Sequence, residues 1–120
     1  MNKTILIIEK NIEAFLYYKK ILLKEGYKVQ HISSDIQLLK YEFGLPDLFI
    51  INDRFLTLNA VEICQHLKNN PLTGMIPVVI VSTILDIESR ALECGAAAFI
   101  AKPFVVSDFL TIIGRCLNFL

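Results

Sequence analysis

Several features that mark membrane, secreted and nucleotide-binding proteins are missing from this 120-residue sequence. No apolar run approaches the ~20 residues that a transmembrane helix needs, and the N-terminus lacks the apolar core of a secretory signal. The segment after the first apolar run, EKNIEA (9–14), contains no glycine. This argues against a glycine-rich loop that cradles the phosphates of a nucleotide or flavin. We therefore expect a cytoplasmic protein with no membrane partner.

Cysteine is scarce, and its spacing carries no metal or redox motif. The three cysteines, Cys64, Cys94 and Cys116, are odd in number and form no CxxC pair. We interpret them as small, buried, reduced thiols. His31 and His66 are not spaced as metal ligands either, and we expect them at ordinary surface or strand-end positions.

Neither positive nor negative charge is in excess. Lys plus Arg and Asp plus Glu number 12 each, so the formal net charge is zero. Non-specific nucleic-acid binding needs a concentrated basic face, so no nucleic-acid partner is expected. The apolar share of 54% is high, which indicates either a dense core or an apolar surface for a partner.

The apolar pattern divides the chain into strands and helices of a single domain, residues 1–120. Short apolar runs bounded by turn signals predict five strands, at 4–8, 27–32, 48–52, 78–82 and 98–101. The second run is the least apolar, which favours a position near the edge of a sheet.

Helical spacing and end signals predict a helix after each strand, at about 12–25, 35–43, 60–70, 86–94 and 108–120. The predicted N-caps are Asn11, Ser34, Asn59 and Ser107. Left-handed glycines are expected to close helices at Gly26, Gly44 and Gly95.

Strands that alternate with helices predict a doubly wound α/β fold, in which a five-stranded parallel sheet carries helices on both faces. Binding groups of such sheets gather at the carboxyl edge. The strand ends deliver these pairs to that edge: Glu9 with Lys10, Asn52 with Asp53, Ser82 with Thr83, and Lys102 with Pro103.

These residues resemble the receiver domains of two-component response regulators, the CheY-like family. The segments PDLFII (46–51), IPVVIVS (76–82), ALECGA (91–96) and FIAKPF (99–104) carry the resemblance, in the family's order and spacing. It covers essentially the whole chain. It implies the flavodoxin-like strand order 2-1-3-4-5 and a role in phosphorelay signal transduction.

The resemblance also implies a role for each edge residue. In such receivers, an aspartate ending the third strand accepts a phosphoryl group from a histidine kinase, and two acids after the first strand help it to hold Mg²⁺. Glu9 matches the first acid, and Ser82 and Lys102 match the hydroxyl and the lysine that bind phosphoryl oxygens. Phe99 matches the aromatic residue that changes rotamer on activation.

Two positions depart from this pattern. Asn52 stands at the acceptor position, where phosphoryl transfer needs a nucleophilic carboxylate oxygen that an amide does not provide. Lys10 stands at the second acid position, although Mg²⁺ prefers carboxylate oxygens. We interpret the chain as a pseudo-receiver, a receiver-like domain without a working acceptor. We expect no enzymatic activity, no cofactor and weak or absent Mg²⁺ binding.

Other interpretations of the edge residues stay open at this point. A conventional phospho-accepting regulator could use Asp53, although alternation along a strand turns Asp53 away if Asn52 points into the pocket. Lys102 could form a structural salt bridge with Glu9, and Ser82 could hydrogen-bond to Asn52 or to backbone. The edge would then be a satisfied polar cluster.

The end of the chain predicts a docking surface. The last helix is apolar over more than the one stripe that packs on a sheet, at Phe109, Leu110, Ile112, Ile113, Leu117, Phe119 and Leu120. Val105 and Val106 extend it, and Ile84, Leu85 and Ile87 lie in the region of the fourth helix. We expect the face of the fourth helix, fifth strand and fifth helix to bind a signalling protein (a histidine kinase or an effector) or a second copy without phosphorylation. The alternatives are crowding of a small core, or a following domain that would cover these residues.

Overall fold

The strands and helices follow the predicted alternation. The computed structural model describes residues 2–52, 54–55, 58–84 and 87–118. The strands of its main sheet are β1 (Thr4–Ile8), β2 (Lys28–Ile32), β3 (Leu48–Asn52), β4 (Val78–Ser82) and β5 (Ala98–Ala101). The helices are α1 (Ile12–Lys24), α2 (Asp35–Leu39), α3 (Ala60–Lys68), α4 (Glu88–Glu93) and α5 (Val106–Asn118). Over these residues, no helix is long and apolar enough to cross a bilayer.

The main sheet has the order β2-β1-β3-β4-β5, and all four pairings are parallel. This confirms the predicted doubly wound α/β fold and its strand order. The strand β2 lies at one edge, as its lower apolar content predicts. The order reverses between β1 and β3, and in such sheets the crevice beyond the strand ends at this reversal is the usual binding site.

The sheet separates two cores, because successive side chains of a strand point to opposite faces. The first core lies against α2, α3 and α4, and the strands contribute Leu6, Ile8, Phe49, Ile51, Val78 and Ile80 to it. The second core lies against α1 and α5, and the strands contribute Ile5, Ile7, Leu48, Ile50, Val79 and Val81. By the same alternation, the side chains of Glu9 and Asn52 fall on the side of the second core, and that of Ser82 on the side of the first.

The register of the strands sets the relative heights of the edge residues. Ile8 pairs with Ile51, so the next residues, Glu9 and Asn52, are level with one another. Towards β5 the edge rises by one residue per strand, because Asn52 pairs with Val81. Ser82 then pairs with Ala101, which puts Lys102 one residue further along.

Most of the predicted helix ends are confirmed. The side chain of Asn11 accepts hydrogen bonds from the N–H groups of Glu13 and Ala14, and Asn59 forms a complete capping box with Glu62. Gly26 and Gly95 have φ values of 87° and 98°, in the left-handed region that glycine adopts at little cost.

Two helix ends were predicted wrongly. The helix α2 ends at Leu39 instead of continuing to about residue 43, and Tyr41, with φ 57°, takes the left-handed conformation that was expected at Gly44. The Tyr41 hydroxyl donates to the carbonyl of His66 at 2.8 Å, and the two rings stack. These contacts hold Tyr41 outside the helix. At the other end of the chain, Ser107 lies inside α5, which begins at Val106, so Ser107 is not the cap.

A short hairpin between β3 and α3 was not predicted. The segments Arg54–Phe55 and Leu58–Asn59 pair in an antiparallel arrangement. Strands of two residues are too short to give an alternating pattern in the sequence. The hairpin places Asn59 directly at the start of α3, where it acts as the cap.

Several apolar residues of α5 that were predicted to form a docking surface pack into the core instead. Phe109 and Ile113 are buried in the second core, and Leu110, Ile112 and Leu117 pack against it while partly buried. Ile87, before α4, is also buried, whereas Ile84 and Val105 are exposed. Leu85, Phe119 and Leu120 lie outside the described residues. The predicted apolar surface is therefore narrower than the sequence indicated.

The three cysteines are free thiols, and the predicted burial holds fully only for Cys64. Cys64 is buried in the first core, and Cys94 and Cys116 are half-buried. Burial, followed by a hydrogen bond with Cys94, raises the pKa of Cys64 to about 12. Burial also raises the pKa of Cys116.

In the folded protein at pH 8, we expect Cys64 to resist alkylation by iodoacetamide. With a pKa of about 12, only about 10⁻⁴ of this thiol is ionised at pH 8, and the thiolate is the nucleophile. Peptide mass spectrometry should show Cys64 modified at least 100-fold more slowly than in urea, where the three cysteines should react alike. Equal rates in the folded and the unfolded protein would contradict this burial.

Candidate functional site

Three of the predicted edge residues, Glu9, Asn52 and Lys102, meet at one cluster. Lys10 and Thr83 are exposed. Glu9 and Asn52 are each 5% exposed and Ser82 is fully buried. Lys102 is half-buried and begins the turn after β5, where the Lys102–Pro103 peptide is cis. The structure therefore brings together the carboxylate of Glu9, the amide of Asn52 and the amine of Lys102. The hydroxyl of Ser82 lies on the other side of the sheet.

Asn52 lies at the centre of the cluster and bonds to three of its side chains. Its Nδ2 donates to Oε1 of Glu9 at 2.9 Å. Its Oδ1 accepts from Nζ of Lys102 at 2.9 Å and from the hydroxyl of Tyr18 at 2.9 Å. An amide suits this position because it carries donors and an acceptor on one planar group. Asn52 thereby joins a carboxylate and an ammonium through a neutral bridge.

Glu9 is held by further contacts on each side. Its Oε2 accepts from the N–H of Lys10 at 3.1 Å, and its own N–H donates to the carbonyl of Ile32 at 3.1 Å. His31 Nε2 lies 2.6 Å from the carbonyl oxygen of Glu9. Because a carbonyl oxygen only accepts, Nε2 of His31 must carry the proton. The His31 ring stacks on Phe15 with centroids 3.8 Å apart, so a residue expected only at a strand end supports the site.

Ser82 hydrogen-bonds to backbone, which is one of the two alternatives that the sequence left open. Its Oγ accepts from the N–H of Ile84 at 2.9 Å, and its carbonyl accepts from the N–H of Lys102 at 2.9 Å. Alternation along β4 places its side chain on the opposite side of the sheet from Asn52. Ser82 therefore shapes the neighbouring loops.

Tyr18 is the site residue that sequence reasoning missed. It lies at helical spacing from the buried Phe15 and Leu22, and it is only 3% exposed. A signal was available, because a buried tyrosine hydroxyl needs a hydrogen-bond partner. The nearest polar side chains on the α1 side of the sheet are those that follow β1 and end β3.

Tyr18 also belongs to an aromatic group that reaches the last helix. Its ring lies 6.2 Å from that of Phe104 and 5.7 Å from that of Phe109, measured between centroids. Phe104 and Phe109 stack on each other at 4.8 Å. We call Tyr18, Phe104 and Phe109 the aromatic group. It connects the polar cluster to the turn after β5 and to α5.

Phe99, the predicted switch residue, lies apart from Asn52. Phe99 is half-buried and packs against the first core, on the side of the sheet opposite Asn52. Its switching role stays a prediction. Asp53 lies outside the described residues, so its role as an alternative acceptor also stays a prediction.

The described side chains do not fit a Mg²⁺ site. No group of three His, Cys, Asp or Glu that could hold a metal is found within residues 2–52, 54–55, 58–84 and 87–118. Both carboxylate oxygens of Glu9 accept hydrogen bonds, and Oδ1 of Asn52 lies 2.9 Å from an ammonium nitrogen. A hard dication needs several free oxygen ligands, whereas Lys102 already places a positive charge at this oxygen.

Comparison with known proteins identifies the family. The sequence profile described as the response regulator receiver domain matches residues 5–114. The histidine kinase P4 of Formosa agariphila is 32% identical over 109 residues, which cover 88% of this chain and 8% of that protein. The polar-differentiation response regulator DivK of Brucella ovis is 25% identical over 116 residues, 94% of each chain.

A solved structure agrees with these matches. The signal receiver domain of a signal transduction histidine kinase from Syntrophus aciditrophicus superposes with a TM-score of 0.85 at 28% identity, over 97% of this chain and 90% of that chain. Several curated relatives are longer, and the chain spans less than half the length of the response regulator RppA of Synechocystis. The profile match, the strand order and the arrangement of the edge residues lead to one conclusion: the chain belongs to the family of response regulator receiver domains of two-component signalling.

Proposed function

We propose that this receiver domain acts through protein–protein contact without being phosphorylated, as a pseudo-receiver. The observation that supports this most is the bonding of Asn52. At the acceptor position, a buried amide makes three hydrogen bonds, to Glu9, Lys102 and Tyr18. An amide oxygen is a poor nucleophile towards phosphorus, and this one is already used by two donors.

The charge balance of the cluster supports the same function. Glu9 and Lys102 carry opposite charges, and Asn52 bonds to both. Buried charges are tolerated when they are paired and hydrogen-bonded. The described side chains of the cluster are therefore balanced without a dication and without a phosphoryl group.

The proposed partners are signalling proteins, because the relatives include a histidine kinase and response regulators. The proposed contact face is that of α4, β5 and α5, where Leu92 and Val105 are 49% and 61% exposed. Ile84 is exposed near the same face. A second copy of the chain is the other partner that this apolar face could accept.

The first prediction concerns phosphorylation by a small acyl phosphate with Mg²⁺. The natural protein should stay unlabelled, and a Lys10→Asp, Asn52→Asp double variant should gain one phosphoryl group, because it regains a nucleophilic carboxylate and a second acid for Mg²⁺. Intact mass spectrometry measures the gain.

The control adds Asp53→Asn to the double variant. If residue 52 is the acceptor, the label should remain in this triple variant. Labelling of the natural protein would contradict the proposed function, and loss of that label on Asp53→Asn alone would identify Asp53 as the acceptor.

The second prediction concerns Mg²⁺ and thermal stability. About 10 mM Mg²⁺ should leave the Tm of the natural protein unchanged, because a ligand stabilises a fold only if the folded state binds it. In the Lys10→Asp, Asn52→Asp variant, the same Mg²⁺ should raise the Tm by several degrees. The control is a buffer of matched ionic strength without Mg²⁺ or Ca²⁺. A clear rise in the Tm of the natural protein with Mg²⁺ would show that it has a Mg²⁺ site and would contradict the prediction.

The third prediction concerns the contact face. If a second copy binds there, light scattering should give a dimer, and Leu92→Asp with Val105→Asp should weaken it at least about 10-fold, as charges at an apolar contact cost more than about 1.4 kcal/mol. Leu16→Asp, at an equally exposed leucine of α1, is the matched control and should have no effect. A monomer at high concentration would exclude the homodimer and leave a heterologous partner.

A further inference from the structure

The side chain of Tyr18 contacts Asn52, the residue at the acceptor position, from the interior of the protein. Its hydroxyl donates to Oδ1 of Asn52 at 2.9 Å, and the residue is 3% exposed. The helix α1 presents it to the site because Phe15 and Leu22, one turn away on each side, are buried in the same core. The hydroxyl reaches Asn52 because Asn52 lies on that side of the sheet.

Packing fixes the ring of Tyr18 in this position. Phe104 and Phe109 lie 6.2 and 5.7 Å from it and stack on each other at 4.8 Å. Interiors packed in this way resist displacement of a large side chain, because a moved ring leaves a cavity and strains its neighbours. The hydroxyl is therefore not free to swing away from Asn52.

The lone pairs of Asn52 show what this hydroxyl does to the acceptor position. An sp² oxygen has two lone pairs, and those of Oδ1 face Lys102 and Tyr18. The other terminal atom, Nδ2, faces Oε1 of Glu9 at 2.9 Å. If aspartate replaced Asn52 in this geometry, one oxygen would have both lone pairs occupied and the other would face a carboxylate.

We propose that Tyr18 is a positioning residue that closes the acceptor pocket, so that restoring the acids at positions 10 and 52 restores phosphoryl transfer only weakly until the Tyr18 hydroxyl is removed. This inference rests on the proposed function and adds a second cause for the loss of phosphorylation. In the reaction, a carboxylate oxygen of the restored aspartate attacks phosphorus, the bond from phosphorus to the acyl oxygen breaks, and the carboxylic acid leaves as its anion with the electron pair. A hydroxyl bound to the attacking oxygen opposes the first of these steps.

The test measures the initial rate of labelling by acetyl phosphate with Mg²⁺ in three proteins: the Lys10→Asp, Asn52→Asp variant, that variant with Tyr18→Phe, and that variant with Tyr17→Phe. Phenylalanine keeps the ring against Phe104 and Phe109 and removes only the hydroxyl. We expect Tyr18→Phe to raise the rate at saturating acetyl phosphate at least 10-fold. Tyr17→Phe, at the exposed neighbouring tyrosine, should leave the rate unchanged.

The outcomes separate this inference from the proposed function. Equal rates with and without Tyr18→Phe, or no labelling of either protein, would overturn the role of Tyr18. An equal gain from Tyr17→Phe would also overturn it, because the effect would then not be specific to the hydroxyl at Asn52. Labelling of the natural protein would instead overturn the proposed function.

A second variant guards against an effect of packing. Tyr18→Leu, in the same double variant, removes both the hydroxyl and the ring, and thermal unfolding followed by circular dichroism reports whether the fold is kept. A rate gain with Tyr18→Phe at unchanged Tm supports the inference. A gain that appears only with Tyr18→Leu, together with a lowered Tm, would show that loosened packing is the cause and would overturn it.

Discussion

The amide of Asn52 is the contact on which the carboxyl edge of this domain depends. It bonds to a carboxylate that follows β1, to an ammonium that follows β5 and to a hydroxyl on α1. An aspartate there could accept but not donate, and it would face Glu9 with like charge. The amide at position 52 therefore decides how the charges of Glu9 and Lys102 are joined. With this amide, the hydrogen bonds of the cluster are made by the protein's own side chains.

A buried cluster of this kind stabilises the fold only while it is complete. Each hydrogen bond contributes about 1 kcal/mol net, but a buried group left without its partner costs about 1–3 kcal/mol. Glu9 and Asn52 are both nearly inaccessible to water, so water could not easily replace a lost partner. The contacts of Asn52 thus hold three strands and one helix together at the edge.

The fold could be predicted from the sequence to a large extent, because it depends on local patterns. The apolar runs and the caps at Asn11 and Asn59 give the elements, and their alternation gives the parallel sheet. The polar strand ends gave most of the site, since a parallel sheet brings them to one edge. The end of α2 was missed because a distant contact, from Tyr41 to the backbone of His66, overrides local propensity. The bond from Tyr18 to Asn52 was missed for a similar reason, because it joins residues 34 positions apart.

The sheet divides the interior of the domain into two parts. Asn52 faces α1 and α5, whereas Phe99 packs on the opposite side with α3 and α4. Ser82 also belongs to that opposite side, and both residues keep the types that the family resemblance implies. Side chains on the two sides of the sheet therefore pack against different helices. The sheet thus gives one domain two separately packed interiors, so the polar groups around Asn52 and the packing of Phe99 belong to different halves of the molecule.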